Sequence, residues 1–194
     1  MTIQGKNLGV AFTGSFCTFD KIFPQLEHLM AENANVYPIF SERSKSTDTR
    51  FGNAESFLKR AKDITGNTPV TTLVEAEKFG PNNLLDALVI APCTGNTLAK
   101  MAHAITDSTV LMAAKGLLRN NKPIIIAVST NDALSGNLKN IGLLINSKNI
   151  FFVPFGQDNY KSKPNSMVAD FSLILPTVEA AFDGKQLQPV IISM

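Results

Sequence analysis

Cysteine is scarce in this 194-residue chain: Cys17 and Cys93 stand alone, in no CxxC pair and with no histidine close by. That excludes the usual ligand spacings of a zinc site and leaves nothing that demands a disulfide. An excess of one charge is missing too, since 18 Lys and Arg against 16 Asp and Glu leave a formal net charge of +2. The basic residues are scattered, whereas tracking a nucleic-acid backbone takes them clustered. No apolar run approaches the ~20 residues of a membrane-spanning helix. The opening MTIQGKNLGVAF has no signal-like apolar region. A GxGxxG fingerprint is also absent, which removes the main support for an NAD-type dinucleotide site. The expectation is a soluble cytoplasmic protein without nucleic-acid or membrane partners. With 44% hydrophobic residues, the chain is expected to build one domain over 1–194.

The most informative stretch is DALVIAPCTGNTLAKMAHAITDSTVLMAAKGLLR, from Asp86 to Arg119. Ala87 to Ala91 is a short continuous apolar run, which reads as a strand buried on both faces and stopped by Pro92. The small polar run Cys93-Thr94-Gly95-Asn96-Thr97 follows. Leu98, Met101, Ala102 and Ile105 then fall on one helical face. In an open parallel sheet such a junction lies at the carboxyl end of a strand, where ligands bind. The unpaired N–H groups of the helix's first turn favour an anion there.

Leu8 to Phe12 reads as a first strand ending in Thr13-Gly14-Ser15, followed by the helical set Ile22, Phe23, Leu26, Leu29 and Met30. Pro24 has no N–H for a helix interior, so the regular helix is expected to begin close to it. Asn35 to Phe40 is a second strand, made irregular by Pro38. Ser41 to Arg50 is polar without periodicity, which fits a solvated loop or a cover over a site. Asn53 caps a helix with Ala54, Phe57, Leu58, Ala61 and Ile64 on its buried face, and Gly66-Asn67 closes it. Thr68 to Val74 reads as a short strand and Val110 to Leu118 as a helix. Ile124 to Val128 is another buried strand, ending in Ser129-Thr130-Asn131-Asp132. Leu138, Ile141, Leu144 and Ile145 mark a helix, and Ile150 to Val153 a last strand. Met167 to Phe182 looks helical apart from Pro176.

Strands alternating with helices predict an α/β fold, a three-layer, doubly wound parallel sheet of the Rossmann-like or flavodoxin-like kind. Three strands end in Gly-Ser, Thr-Gly-Asn-Thr and Ser-Thr-Asn, and in a parallel sheet those ends share one edge. Their hydroxyls and amides could converge on one phosphate-bearing ligand, although the same residues are also what ordinary βα turns are made of.

The segments TGS and APCTGNTLAKMAHAITD resemble the flavin mononucleotide-binding flavoprotein family, which includes cysteine decarboxylases and flavin prenyltransferases. The likeness repeats strand, loop and helix in register. Further blocks carry it over nearly the whole chain: Lys45 to Gly52, Ser129 to Leu134, NIFFVPFGQD and KPNSMVAD. The resemblance implies FMN as cofactor, with Gly14, Ser15, Ser41, Thr94, Gly95, Asn96 and Thr97 around its phosphate and ribityl chain and Pro92 and Ser129 beside them. It implies homo-oligomers, commonly trimers or multiples of trimers. The later blocks resemble a branch of the family that has a dicarboxylate ligand and works beside a second, different subunit. A dicarboxylate needs cationic or amide donors, for which Arg50, Asn131 and Lys163 are the candidates.

Two departures stand against a decarboxylase. That activity in the family uses a histidine after the second strand, but this chain has only His28 and His103, both on expected helices. The substrate motif PxMNxxMW is replaced by Ser129-Thr130-Asn131-Asp132-Ala133-Leu134, in which Asn131 keeps the amide. Cys93 reads as a small buried hydrophobe. No general base is identified. A flavin-dependent oxidoreductase subunit leads, with a non-catalytic flavin- or product-binding subunit and a decarboxylase on another substrate as alternatives.

Overall fold

The computed structural model describes residues 2–194. In chain order the elements are β1 Asn7–Phe12, α1 Phe19–Ala31, β2 Asn35–Phe40, α2 Ala54–Thr65, α3 Leu73–Glu77, α4 Phe79–Asn82, β3 Ala87–Cys93, α5 Gly95–Ala102, α6 Thr109–Arg119, β4 Ile124–Thr130, α7 Leu138–Ile145, β5 Ile150–Phe152, β6 Phe155–Gly156, β7 Met167–Ala169 and α8 Ile174–Phe182. The strands join in one sheet of order β2-β1-β3-β4-β7-β6, with β5 also paired to β4. The first five strands are parallel and run 2-1-3-4-5, the flavodoxin-like order. From β1 the chain winds outward both ways, and right-handed crossovers then put helices on both faces. Helix α1 packs with α2 and α8, while α6 packs with α3 and α4.

The centre of the sheet is apolar because its strands are covered on both faces. Every residue of β3 is buried, as are Ile124 to Ser129 of β4. At the ends of β1 and β2, Phe12 and Phe40 are register partners whose rings stack at 4.7 Å. Phe19, Phe23 and Phe57 close around them. This aromatic block lies directly beneath the loops that begin at Thr13 and Ser41, and gives them a rigid base.

Several elements differ from the sequence reading. Helix α1 starts at Phe19, and Pro24 lies inside it. One helical hydrogen bond is lost there, but burial of Phe19, Ile22, Phe23, Leu26 and Leu29 outweighs it. Pro38 is accommodated in a regular strand because β2 is at the sheet edge. Its missing donor faces outward, where Pro38 O accepts from Val70 N and Val70 O from Phe40 N. Thr68–Val74 is not a strand: only Val70 bridges to Ile39, and Thr72 then caps α3 in a reciprocal box with Glu75. Strand β3 continues through Pro92, with a register shift between Ile90 and Cys93 and a cis Ala91–Pro92 peptide. Helix α5 ends at Ala102, and the positive φ of Ala104 turns Ile105 out to solvent. Ile150–Phe152 is not the last strand, and Met167–Ala169 is a strand rather than a helix. It pairs antiparallel with Ser129 and Thr130 at the upper end of β4, so the sheet is mixed but mainly parallel.

Candidate functional site

The carboxyl ends of β1, β3 and β4 are neighbours, and side chains tie their loops together. Thr13 Oγ1 donates to Pro92 O (2.6 Å) and accepts from Thr94 N (3.1 Å). That hydroxyl has spent its only proton, and the two bonds clamp the first loop to the third strand. Ser15 and Ser129 join the first and fourth strand ends through their hydroxyls at 2.9 Å. The Cβ position of Gly14 meets no atom within 4 Å, leaving open space above β1.

Helix α5 begins in this setting. Its N-cap, Thr94, makes no side-chain capping bond; its hydroxyl lies 3.2 Å from that of Thr97. The N–H groups of the first helical turn have no intrahelical acceptors, and here no cap side chain takes them. They are therefore available to an anion, with the helix dipole favouring negative charge.

Two clefts adjoin at Thr94. The first, of about 400 Å³, is lined by Gly14, Ser41, Arg43, Asn96, Thr97 and Ser108, among others. The second, of about 250 Å³, is lined by Ser15, Cys17, Ser129, Asn131, Asp158 and Lys163, together with Ser166. A mainly apolar hollow of about 380 Å³ beside Met101, Ile105 and Leu118, with Lys115 and Arg119 among its lining residues, shares only Leu111 with the first cleft and contains none of the strand-end hydroxyls.

The loop after β2 is well ordered by its own bonds. Ser41 N donates to Phe12 O, and Ser44 Oγ donates to the same carbonyl at 2.8 Å. With the one Ser44 proton directed at Phe12 O, Ser41 is left to supply the proton in the 2.9 Å contact between the two hydroxyls. A ligand oxygen in the cleft could take that proton instead. Glu42 Oε1 accepts from Thr109 N (2.9 Å) and Thr109 Oγ1 (2.8 Å), and so is held at the start of α6.

In the second cleft Lys163 Nζ is 3.6 Å from Asp158 Oδ2. Partial burial pushes the Asp158 carboxyl up, but hydrogen bonding from Ser166 and the nearby Lys163 charge outweigh it and hold the group below its ordinary value. Asp158 is thus a carboxylate near neutral pH. Burial alone raises the Cys93 thiol far above its usual range, so it is an inert part of the core. His28, 3.3 Å from Gln25 Oε1 on α1, and His103, at the end of α5, are exposed and line neither cleft.

Of the residues expected from sequence, Gly14, Ser41, Thr94, Asn96 and Thr97 meet in the first cleft, and Ser15, Ser129, Asn131 and Lys163 in the second. Pro92, Gly95 and Arg50 line neither. Pro92 is buried and offers its carbonyl to Thr13. Gly95 packs against the side chains of Thr130, Asp132 and Asn137. The Arg50 guanidinium lies over the Phe51 ring at 4.9 Å. The sequence reading missed Arg43, Ser108, Asp158 and Ser166. Ser108 was legible as a serine just ahead of a helical run, and its hydroxyl accepts from Leu111 N. Asp158 and Ser166 reach the cleft through β7, which was not foreseen.

The Flavoprotein family matches residues 1–171. The B subunit of dipicolinate synthase from Bacillus subtilis (strain 168) is 48% identical over 191 residues, which cover 98% of this chain and 96% of that protein. The crystal structure of the corresponding B subunit from Bacillus halodurans C superposes with a TM-score of 0.91 at 48% identity, covering 100% of this chain and 99% of that one. The FMN-dependent cysteine decarboxylase SpaF shares the fold, with a TM-score of 0.62 at 22% identity over 94% of this chain and 99% of its own. On the extent of the family match and of the full-length identity, the chain belongs to the Flavoprotein family.

Proposed function

We propose that the chain is the FMN-binding B subunit of a dipicolinate synthase, acting with an A subunit to oxidise dihydrodipicolinate to dipicolinate, pyridine-2,6-dicarboxylate, during sporulation. The observation that carries this reading is the 48% identity over nearly the whole length to a protein of that name. The first cleft suits the phosphate and ribityl chain. Ser41, Thr94 and Thr97 offer hydroxyls, Asn96 an amide, and the uncapped start of α5 its N–H groups. Ser15 and Ser129 adjoin them from the second cleft. When bound, a flavin supplies the acceptor for hydride, while the protein orients it and its substrate. Lys163 and Asn131, in the second cleft, are the donors for a substrate carboxylate. Following the family pattern, the chain assembles as a homo-oligomer of three or a multiple of three.

A second reading, a subunit that holds flavin or product while the A subunit performs the chemistry, is favoured by the absence of a poised base. Among the described residues, Ser166 and Lys163 stabilise the Asp158 anion and so make it a weak base, Cys93 is buried and protonated, and both histidines lie outside the two clefts. Anaerobic addition of dihydrodipicolinate to FMN-loaded protein separates the two. Bleaching of the flavin band by substrate alone supports oxidation on this subunit. An unbleached flavin, with dipicolinate formed only when the A subunit is added, supports the holding role.

A further inference from the structure

The loop from 41 to 52 carries three cations, Arg43, Lys45 and Arg50, and the structure distinguishes them. Lys45 Nζ donates to Thr71 O at 2.7 Å, behind the loop. Arg50 is stacked on Phe51 and lines neither cleft. Arg43 lines the first cleft together with Ser41, Thr97 and Ser108, and enters none of the ion pairs among the described residues. A carboxylate beside it, Glu42, would ordinarily cancel that charge and repel an anion. Here Glu42 is turned to the start of α6, where Thr109 N and Thr109 Oγ1 both donate to it. Glu42 also lines the cleft, but there its negative charge is offset by the two Thr109 donors and by the positive end of that helix, so Arg43 is the cation that lines this cleft with no ion-pair partner among the described residues.

We propose that Arg43 is the specificity-determining cation of the first cleft, selecting a phosphomonoester dianion over the same molecule without its phosphate. The assignment rests on the reading of this cleft as the flavin phosphate site and names the residue that makes it prefer FMN to riboflavin. Hydroxyl and N–H donors bind a ribityl chain and a phosphate alike, whereas a guanidinium presents a planar, permanently charged fork that gains strength only against the anion. Glu42 serves it indirectly, as a positioning residue that fixes the loop to α6.

The test is titration of the flavin-free full-length protein with FMN and with riboflavin, following quenching of flavin fluorescence. R43Q is expected to weaken FMN by about tenfold or more, the loss of one charge-assisted contact, while riboflavin affinity stays within about twofold. R43K is expected to restore part of the FMN preference and to steepen its dependence on salt. R50Q removes the same charge from the same loop outside the cleft and is expected to keep the wild-type ratio. An R43Q protein with the wild-type ratio of FMN to riboflavin affinity overturns the assignment, as does a collapse of that ratio in R50Q instead. A wild-type protein that binds neither flavin overturns the flavin site itself, and Arg43's role with it.

Discussion

At the scale of single residues, the site depends on which hydroxyls are already spent. Thr13 has given its only proton and one of its two lone pairs to the Pro92–Thr94 backbone, so it holds the loops and has no proton left to donate to a ligand. Thr94 and Thr97 bond weakly to each other across 3.2 Å and can turn outward. Thr97→Val is therefore expected to lower FMN affinity by about tenfold, the worth of one hydrogen bond to a charged group, with thermal stability little changed. Flavin content after dialysis against a fixed FMN concentration measures it, and wild-type occupancy would count against this residue. The two thiols give an independent check of burial. Cys17 is exposed and Cys93 is fully buried, with its thiol pushed up by desolvation. An aromatic disulfide reagent is expected to label Cys17 alone in the native protein and both after denaturation. Rapid native labelling of Cys93 would mean that the core under the site opens readily.

At the scale of elements, the junction between β3 and α5 is held from the side by the loop after β4. Asp132 accepts from Thr130 Oγ1 (2.6 Å) and from Asn137 Nδ2 (2.8 Å), and Asn140 Nδ2 donates to Asn137 Oδ1. A Cβ on Gly95 would stand 2.6 Å from Asp132 Oδ1 and 2.8 Å from Thr130 Oγ1, and would also meet Asn137 Nδ2. The resemblance puts Gly95 on the cofactor; independently of that, the packing requires its smallness for the approach of helix to loop. Gly95→Ala is expected to cost about 1–3 kcal/mol by overpacking and to displace the first turn of α5. Denaturant unfolding and FMN titration should then fall together; unchanged values in both would show that the loop yields without consequence.

The elements that were legible in the sequence are those with an unbroken physical signature. The IIIAV run of β4, and the Asn53 cap and Gly66 closure of α2, appear as expected. Those that were not legible turn on tertiary facts. Pro24 survives inside α1 because of the apolar area that the helix buries, and Pro38 because β2 is an edge strand. Met167–Ala169 has a pattern that serves a helix as well as a strand, and pairing with the end of β4 decides it. The same limit applied to the site. The strand-end hydroxyls could be read from the chain, but Asp158 and Ser166 depend on a pairing between segments some forty residues apart in sequence, and Arg43 differs from Arg50 only in where the loop turns.

At the scale of the molecule, the 2-1-3-4-5 order sets the switch point between β1 and β3. From there the chain departs to opposite sides and leaves a crevice at the carboxyl edge of the sheet. Thr13, Gly14 and Thr94 stand at that crevice, and the loop after β2 and the end of β4 close its flanks. The candidate residues read from the sequence at three strand ends are brought by the sheet topology to one edge. The measurement that bears most directly on this account is a crystal structure of the protein grown with excess FMN. The account predicts flavin density at this edge, with the phosphate against the first turn of α5 and within reach of Ser41, Thr97 and Arg43. Flavin bound at another surface, or an edge left empty at saturating FMN, would contradict it.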